Sequence, residues 1–342
     1  MNERIVPRDA VTEFALRIAP QREIVGPTAD RTGIRYDRIE GPFQLCLDAG
    51  HGVASPKGVL FPQTEVLFRF PSSEPNETIA EPRERVLFGI RPCDARALAL
   101  LDRIFQSDGV EDPYFSARYA ATTIVSLSCT EPGPACFCTS VGGGPADPAG
   151  SDLLLIGIGE RLLARPVTQT GRELLESGGD LAQPAASEHV AAAVEAETQA
   201  TAKIEPVEYP TDLARLAGIF HNTVWDEIAA TCIGCGVCTY VCPTCHCFDI
   251  TDEARRGRGR RVRSWDSCAF PSFTLHGSGR NPRERQAARL RQRILHKFLY
   301  GPERYGEALC VGCGRCITGC PTGIDLRSLL EAVTVIMNVE GA

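Results

Sequence analysis

Two runs of cysteine with identical spacing constrain this chain more than any other feature. Cys232-x2-Cys235-x2-Cys238-x3-Cys242-Pro243 recurs as Cys310-x2-Cys313-x2-Cys316-x3-Cys320-Pro321. In a run of this kind the first three thiolates hold one [4Fe–4S] cubane and the fourth reaches its neighbour. Cys232, Cys235, Cys238 and Cys320 are therefore expected to ligate one cluster, and Cys310, Cys313, Cys316 and Cys242 a second. Glycines at 234, 236, 312 and 314 suit a tight loop whose N–H groups face sulfur. Pro243 and Pro321 leave each loop without competing for those bonds. Zinc is the plainer alternative for Cys-x2-Cys. It normally pairs two such hairpins at longer spacing, without a third cysteine two residues on or a terminal Cys-Pro.

The 16 cysteines belong to a chain whose first residues, MNERIVPRDAVTEF, mix both charge signs and lack an apolar core. That start is not a secretory signal, and no run approaches the roughly 18 apolar residues of a membrane helix. The expected location is the cytoplasm, with no membrane association. There a reducing environment turns clustered cysteine toward metal binding or catalysis rather than disulfides. An apolar content of 43% over 342 residues is enough for more than one core.

The fold class expected is α+β in two domains, 1–205 and 206–342. In the first, Arg85–Ile90, Thr122–Leu127 and Leu153–Ile156 read as buried strands, and Ala95–Phe105 as a helix. Strand–helix–strand order favours parallel pairing. Residues 170–205 read as a helix and a connection. In the second domain Leu213, Leu216, Phe220, Val224 and Ile228 share one helical face, with Thr211 as N-cap. Ala287, Leu290, Ile294 and Phe298 define another stripe, and Leu326, Leu329, Leu330 and Val333 a last one. This predicts a mainly helical domain with cysteine-rich loops. The 67 residues between Cys242 and Cys310 exceed what a compact bacterial ferredoxin allows, and the arrangement resembles an α-helical ferredoxin.

The first domain carries a further set. Cys93 sits where the first of these strands turns into its helix, Cys129 directly follows the second, and Cys136 and Cys138 come shortly after. Parallel strands deliver such residues to one carboxyl edge of the sheet, where open α/β sheets form binding crevices. Cys93, Cys129, Cys136 and Cys138 are expected to hold a third [4Fe–4S] cluster, against the alternative of buried free thiols.

The motifs RPCD, SCTEPGPACFCTS, CIGCGVCTYVCPTCHCFD, RSWDSC and CVGCGRCITGCP, in that order, resemble one family. It is the iron–sulfur β subunit of soluble NAD(P)-linked [NiFe] hydrogenases, the sulfhydrogenases. The corresponding iron–sulfur subunit of anaerobic sulfite reductase is closely similar. The resemblance covers about residues 40–330. It implies three [4Fe–4S] clusters and no catalytic residue on this chain. It also implies a place between an NAD(P)H-oxidising flavoprotein and a hydrogenase module or, alternatively, a siroheme sulfite reductase. Cys245, Cys247 and Cys268 match family positions and read as thiols packed around the clusters.

Gly157-Ile158-Gly159 lacks the third glycine of a dinucleotide fingerprint, since Leu162 occupies its place. Nicotinamide chemistry is thereby assigned to a partner. Gly142–Pro145 reads as a turn, and Cys46 as structural. Residues 255–297 hold twelve arginines and Lys297 against Asp266 and Glu284, a local +11 in a chain of net −7. Cations there would offset negative clusters or steer an acidic partner. A redox-sensing protein that binds nucleic acid is the reading of another class, disfavoured by the acidic remainder of the chain.

Overall fold

The computed structural model describes residues 3–31, 33–41, 45–47, 50, 52–70 and 82–340. In chain order these begin with β1 (Arg4–Pro7), α1 (Val11–Ile18), β2 (Glu23–Asp30), β3 (Gly33–Arg38), α2 (Lys57–Leu60), β4 (Thr64–Phe70), β5 (Arg85–Ile90) and α3 (Pro92–Phe105). Next come α4 (Pro113–Ala120), β6 (Thr122–Leu127), β7 (Leu153–Ile158), β8 (Arg161–Pro166), α5 (Gln169–Glu176), β9 (Gln183–Pro184) and α6 (Ser187–Ala202). The remainder is α7 (Leu213–Gly218), α8 (Val224–Ala229), α9 (Val237–Tyr240), β10 (Phe248–Arg255), β11 (Arg258–Trp265), α10 (Gln286–Leu295), α11 (Gly301–Tyr305), α12 (Arg315–Thr318) and α13 (Leu326–Glu340). One compact unit takes in Met1–Phe61, Ile79–Glu205 and Val311–Cys313, the other Pro62–Thr78, Pro206–Cys310 and Gly314–Ala342.

The first unit is built on a sheet ordered β3-β2-β5-β6-β7-β8-β1-β9. Its centre is parallel, β2 to β5 to β6 to β7, and its flanks are antiparallel. The sequences RVLFGI, TTIVSL and LLLIGI explain this, because strands covered on both faces need continuous apolar runs. Successive side chains alternate between faces. Leu153 and Leu155 join a core with Phe14, Phe88 and Leu174, whereas Leu154 and Ile156 join Ile5, Leu163 and Ala193 on the other side. Pro92 at the start of α3 fixes φ where an N–H has no helical partner to lose. Residues 170–205 yield α5, β9 and α6 rather than one helix and a connection.

The second unit differs from the expected helical pattern in two places. The stripe from Leu213 to Ile228 is interrupted: α7 ends at Gly218, a single 3-10 turn follows, and α8 restarts at Val224. Asn222 supplies the cause, since its side-chain oxygen accepts from the Val224 amide and makes a turn of its own. Asp212, not Thr211, caps α7 by accepting from the Arg215 amide. The second difference is a three-stranded antiparallel sheet ordered β10-β11-β4. Arg255 pairs with Arg258 across a two-residue loop, Arg256-Gly257, both at positive φ. That is the backbone a tight hairpin turn requires. Charged side chains on both faces of these strands hide the alternation that would mark them.

The stripe through Leu290, Ile294 and Phe298 forms as its spacing predicts, and all three are buried. After α10 the helix widens into a π turn at His296–Tyr300. In α13, Leu326, Leu330, Val333 and Met337 are buried. Among the described residues no helix is long and apolar enough to cross a membrane.

Candidate metal centres

The two cysteine motifs fold alike, as their spacing demands. In each, a glycine at left-handed φ (Gly236, +77°; Gly314, +72°) precedes a four-residue helix that carries the third cysteine. At the first motif the Cys232 sulfur accepts from the Gln286 amide nitrogen at 3.1 Å. The Cys320 sulfur accepts from the Ile324 N–H at 3.3 Å and lies 3.5 Å from the Thr322 hydroxyl. Burial opposes the Cys320 thiolate. Hydrogen bonds from Thr322 and the amides of Ile324 and Gly323 outweigh it and hold this thiol below its ordinary pKa.

Cys232, Cys235, Cys238 and Cys320 line a single cavity of about 50 Å³, together with Cys316 and Arg293. The fourth cysteine of the second motif thus faces the first three of the first. A water needs only about 10–15 Å³ of such space, so this cavity suits a polynuclear group of iron and sulfide better than one ion. Among the described residues, no three His, Cys, Asp or Glu side chains are close enough to hold a single metal ion. Thiolates around a cubane stand farther apart, because the cluster's own atoms fill the middle.

A buried pair of cations completes the fit. Arg293 is 5% exposed, and its Nη2 donates to the Cys238 carbonyl at 3.0 Å. Its Nε is buried without a hydrogen-bond partner. Burial opposes this charge, but the thiols of Cys238, Cys316, Cys245 and Cys242 outweigh it and raise the guanidinium pKa. Lys297 is 3% exposed; its Nζ donates to the Leu309 carbonyl at 2.7 Å and the Thr244 hydroxyl at 2.9 Å, and lies 3.4 Å from the Cys242 sulfur. Burial again opposes the charge, and Cys242, Cys245 and Cys310 overcome it. Buried cations need anions nearby. Here cysteine sulfur supplies them.

Cys242 and Cys310 therefore share the same buried ammonium. Cys245 hydrogen-bonds to Cys242, which together with burial raises its pKa far above the usual thiol value. Cys268 is raised the same way by Cys247 and by burial. These thiols pack beside the motif sulfurs.

In the first unit, β6 ends just before Cys129, and Cys93 lies on the first turn of α3, which follows the neighbouring strand β5. Burial raises the Cys129 pKa, Arg91 opposes it, and Cys136 adds to it. Burial also pushes Cys138 up to about 12, with Cys136 and Cys129 next in effect. These three thiols are thus gathered, and Cys93 is delivered to the same sheet edge. Ligation would displace their protons. Within this unit the Cys136 sulfur sits 3.9 Å from the Cys313 carbonyl, and the Phe137 N–H donates to the Gly312 carbonyl at 2.8 Å.

Gly312 has φ +62°, and a Cβ there would come within 2.5 Å of the Cys138 nitrogen. Gly312→Ala is expected to destabilise the chain by about 1–2 kcal/mol from the backbone alone, and further from the clash. A urea midpoint equal to wild type would show that the loop yields.

Motif spacing could not reveal Gln286, Thr244 or Thr322. The +11 segment had pointed to cations near the clusters, and Arg293 and Lys297 are the two that the fold buries beside cysteine sulfur.

A family model described as a 4Fe-4S dicluster domain matches residues 231–324. The chain is 31% identical over 325 residues to sulfhydrogenase 2 subunit beta of Pyrococcus furiosus, covering 94% of this chain and 95% of that protein. No solved structure matches.

Proposed function

The chain belongs to the sulfhydrogenase β subunit family, and from that premise we propose that it links an NAD(P)H-oxidising flavoprotein to a [NiFe] hydrogenase module. It is an iron–sulfur electron-transfer subunit of a hydrogenase. We further propose three [4Fe–4S] clusters. Cys232, Cys235, Cys238 and Cys320 hold the first, Cys310, Cys313, Cys316 and Cys242 the second, and Cys93, Cys129, Cys136 and Cys138 the third. Residues 1–205 and 206–342 are read as the domains that carry them, and the cytoplasm as their location. Such clusters supply one-electron transfer, which connects a two-electron hydride donor to a metal catalyst without chemistry on the protein itself.

The observation that carries this reading is the cavity lined by cysteines from both motifs. The chain's own residues supply thiolates, N–H donors to sulfur and buried positive charge. Crossed ligation keeps the two C-terminal clusters adjacent, which suits stepwise transfer.

Anaerobic purification of the native complex, with metal analysis, tests the reading. Three cubanes require about twelve iron and twelve sulfide per chain. A content near eight would remove the third cluster and leave Cys93, Cys129, Cys136 and Cys138 as structural thiols. The expected companions are a flavoprotein and a nickel-containing protein. A siroheme protein in place of the latter would move the relay to sulfite reduction, and nucleic acid would overturn it.

A further inference from the structure

We propose that Lys297 builds a step in reduction potential between the two C-terminal clusters, making the cluster on the second motif the one that holds the electron. The inference rests on the reading of Cys242 as a ligand of that cluster.

Four observations carry it. The Lys297 ammonium is 3% exposed and lies 3.4 Å from the Cys242 sulfur. Among the described residues it has no carboxylate partner; its other contacts are the Leu309 carbonyl and the Thr244 hydroxyl. A buried lysine with no carboxylate is costly unless another anion stands close. Cluster reduction adds one negative charge at this spot, so the ammonium favours the reduced state. The π turn at His296–Tyr300 places the side chain here, and π turns concentrate at functional sites.

The asymmetry comes from what the other cluster lacks. The sulfur donor at Cys232 is the Gln286 amide, which is neutral. Arg293 faces Cys238 of the first motif, Cys316 of the second, and Cys242, so it acts on both clusters. Lys297 faces Cys242, Cys245 and Cys310. Its charge therefore falls mainly on the second cluster, and the difference in potential between the pair follows its presence.

The test is a redox titration of the anaerobically purified full chain, monitored by electron paramagnetic resonance, for wild type, Lys297→Gln and Lys297→Arg. The second cluster is assigned by its absence in Cys242→Ala. Lys297→Gln keeps a hydrogen-bond donor and removes the charge. It is expected to make that cluster roughly tenfold or more harder to reduce, a shift of about −59 mV for one electron. The remaining clusters are expected to stay in place. Lys297→Arg keeps the charge and is expected to recover most of the shift.

An unchanged potential in Lys297→Gln at full iron content would overturn the inference, as would an equal shift of every cluster. Loss of the second cluster from both variants would also overturn it, by making Lys297 an assembly residue. A wild-type chain without that cluster would instead sink the ligand assignment on which the inference stands.

Discussion

Cys242→Ala is expected to remove about four iron atoms per chain, and they should come from the cluster built on Cys310, Cys313 and Cys316. Proximity in sequence points the other way, since Cys242 closes the run that begins at Cys232. Two contacts support the proposed distant partner. Cys320, the last cysteine of the second run, lines the cavity of Cys232, Cys235 and Cys238. Cys242 instead shares the buried ammonium of Lys297 with Cys310. Iron and sulfide analysis, with spectroscopy of the reduced protein, would show which cluster is gone. Loss of the Cys232 cluster, with the other intact, would mean that each run is self-contained. Cys242→Ser gives a control of similar size.

Glu65→Ala is expected to cost about 3–5 kcal/mol of stability, the range for breaking a buried ion pair by removing one partner. Glu65 on β4 and Arg263 on β11 have side chains only 9% and 3% exposed, and Arg263 Nε donates to the carboxylate at 2.8 Å. The guanidinium also sits 5.3 Å from the centre of the Phe248 ring. Removing the carboxylate takes away the oxygen to which this buried guanidinium donates. Exposed pairs beside it, such as Arg261–Asp252 at 42% and 46%, are screened by water and should barely register when broken. Urea unfolding under anaerobic conditions measures the difference. The combined Glu65→Leu, Arg263→Met variant is expected to recover much of the loss, because two apolar groups need no compensation. A double variant as unstable as Glu65→Ala would show that the pair, rather than its balance, holds the sheet.

What the residues announced and what they concealed divide along physical lines. The strands at 85–90, 122–127 and near 153 were legible because short continuous apolar runs have few uses other than a strand covered on both faces. The α10 stripe was legible because Leu290, Ile294 and Phe298 keep helical spacing. The hairpin of β10 and β11 was not, since its arginines and acids stand where alternation should have shown apolar residues. The break near Asn222 was hidden too, because a side chain that caps a local turn does not disturb the apolar period around it. At the candidate metal centres, spacing grouped the cysteines and the +11 segment announced cations, but neither said which groups would approach sulfur. Gln286 and Lys297 approach from a segment far along the chain, and such proximity is a product of packing.

Neither compact unit is a continuous stretch of chain. The first needs Val311–Cys313, and the second needs Pro62–Thr78. A ribosome therefore finishes neither until almost the whole polypeptide has emerged. The Phe137 amide and the Cys138 backbone must wait for Gly312, which is made long after them. The fold that would receive iron is thus completed only late in synthesis. A nascent chain ending near residue 205 would hold Phe137 and Cys138 without the Gly312 loop that packs on them.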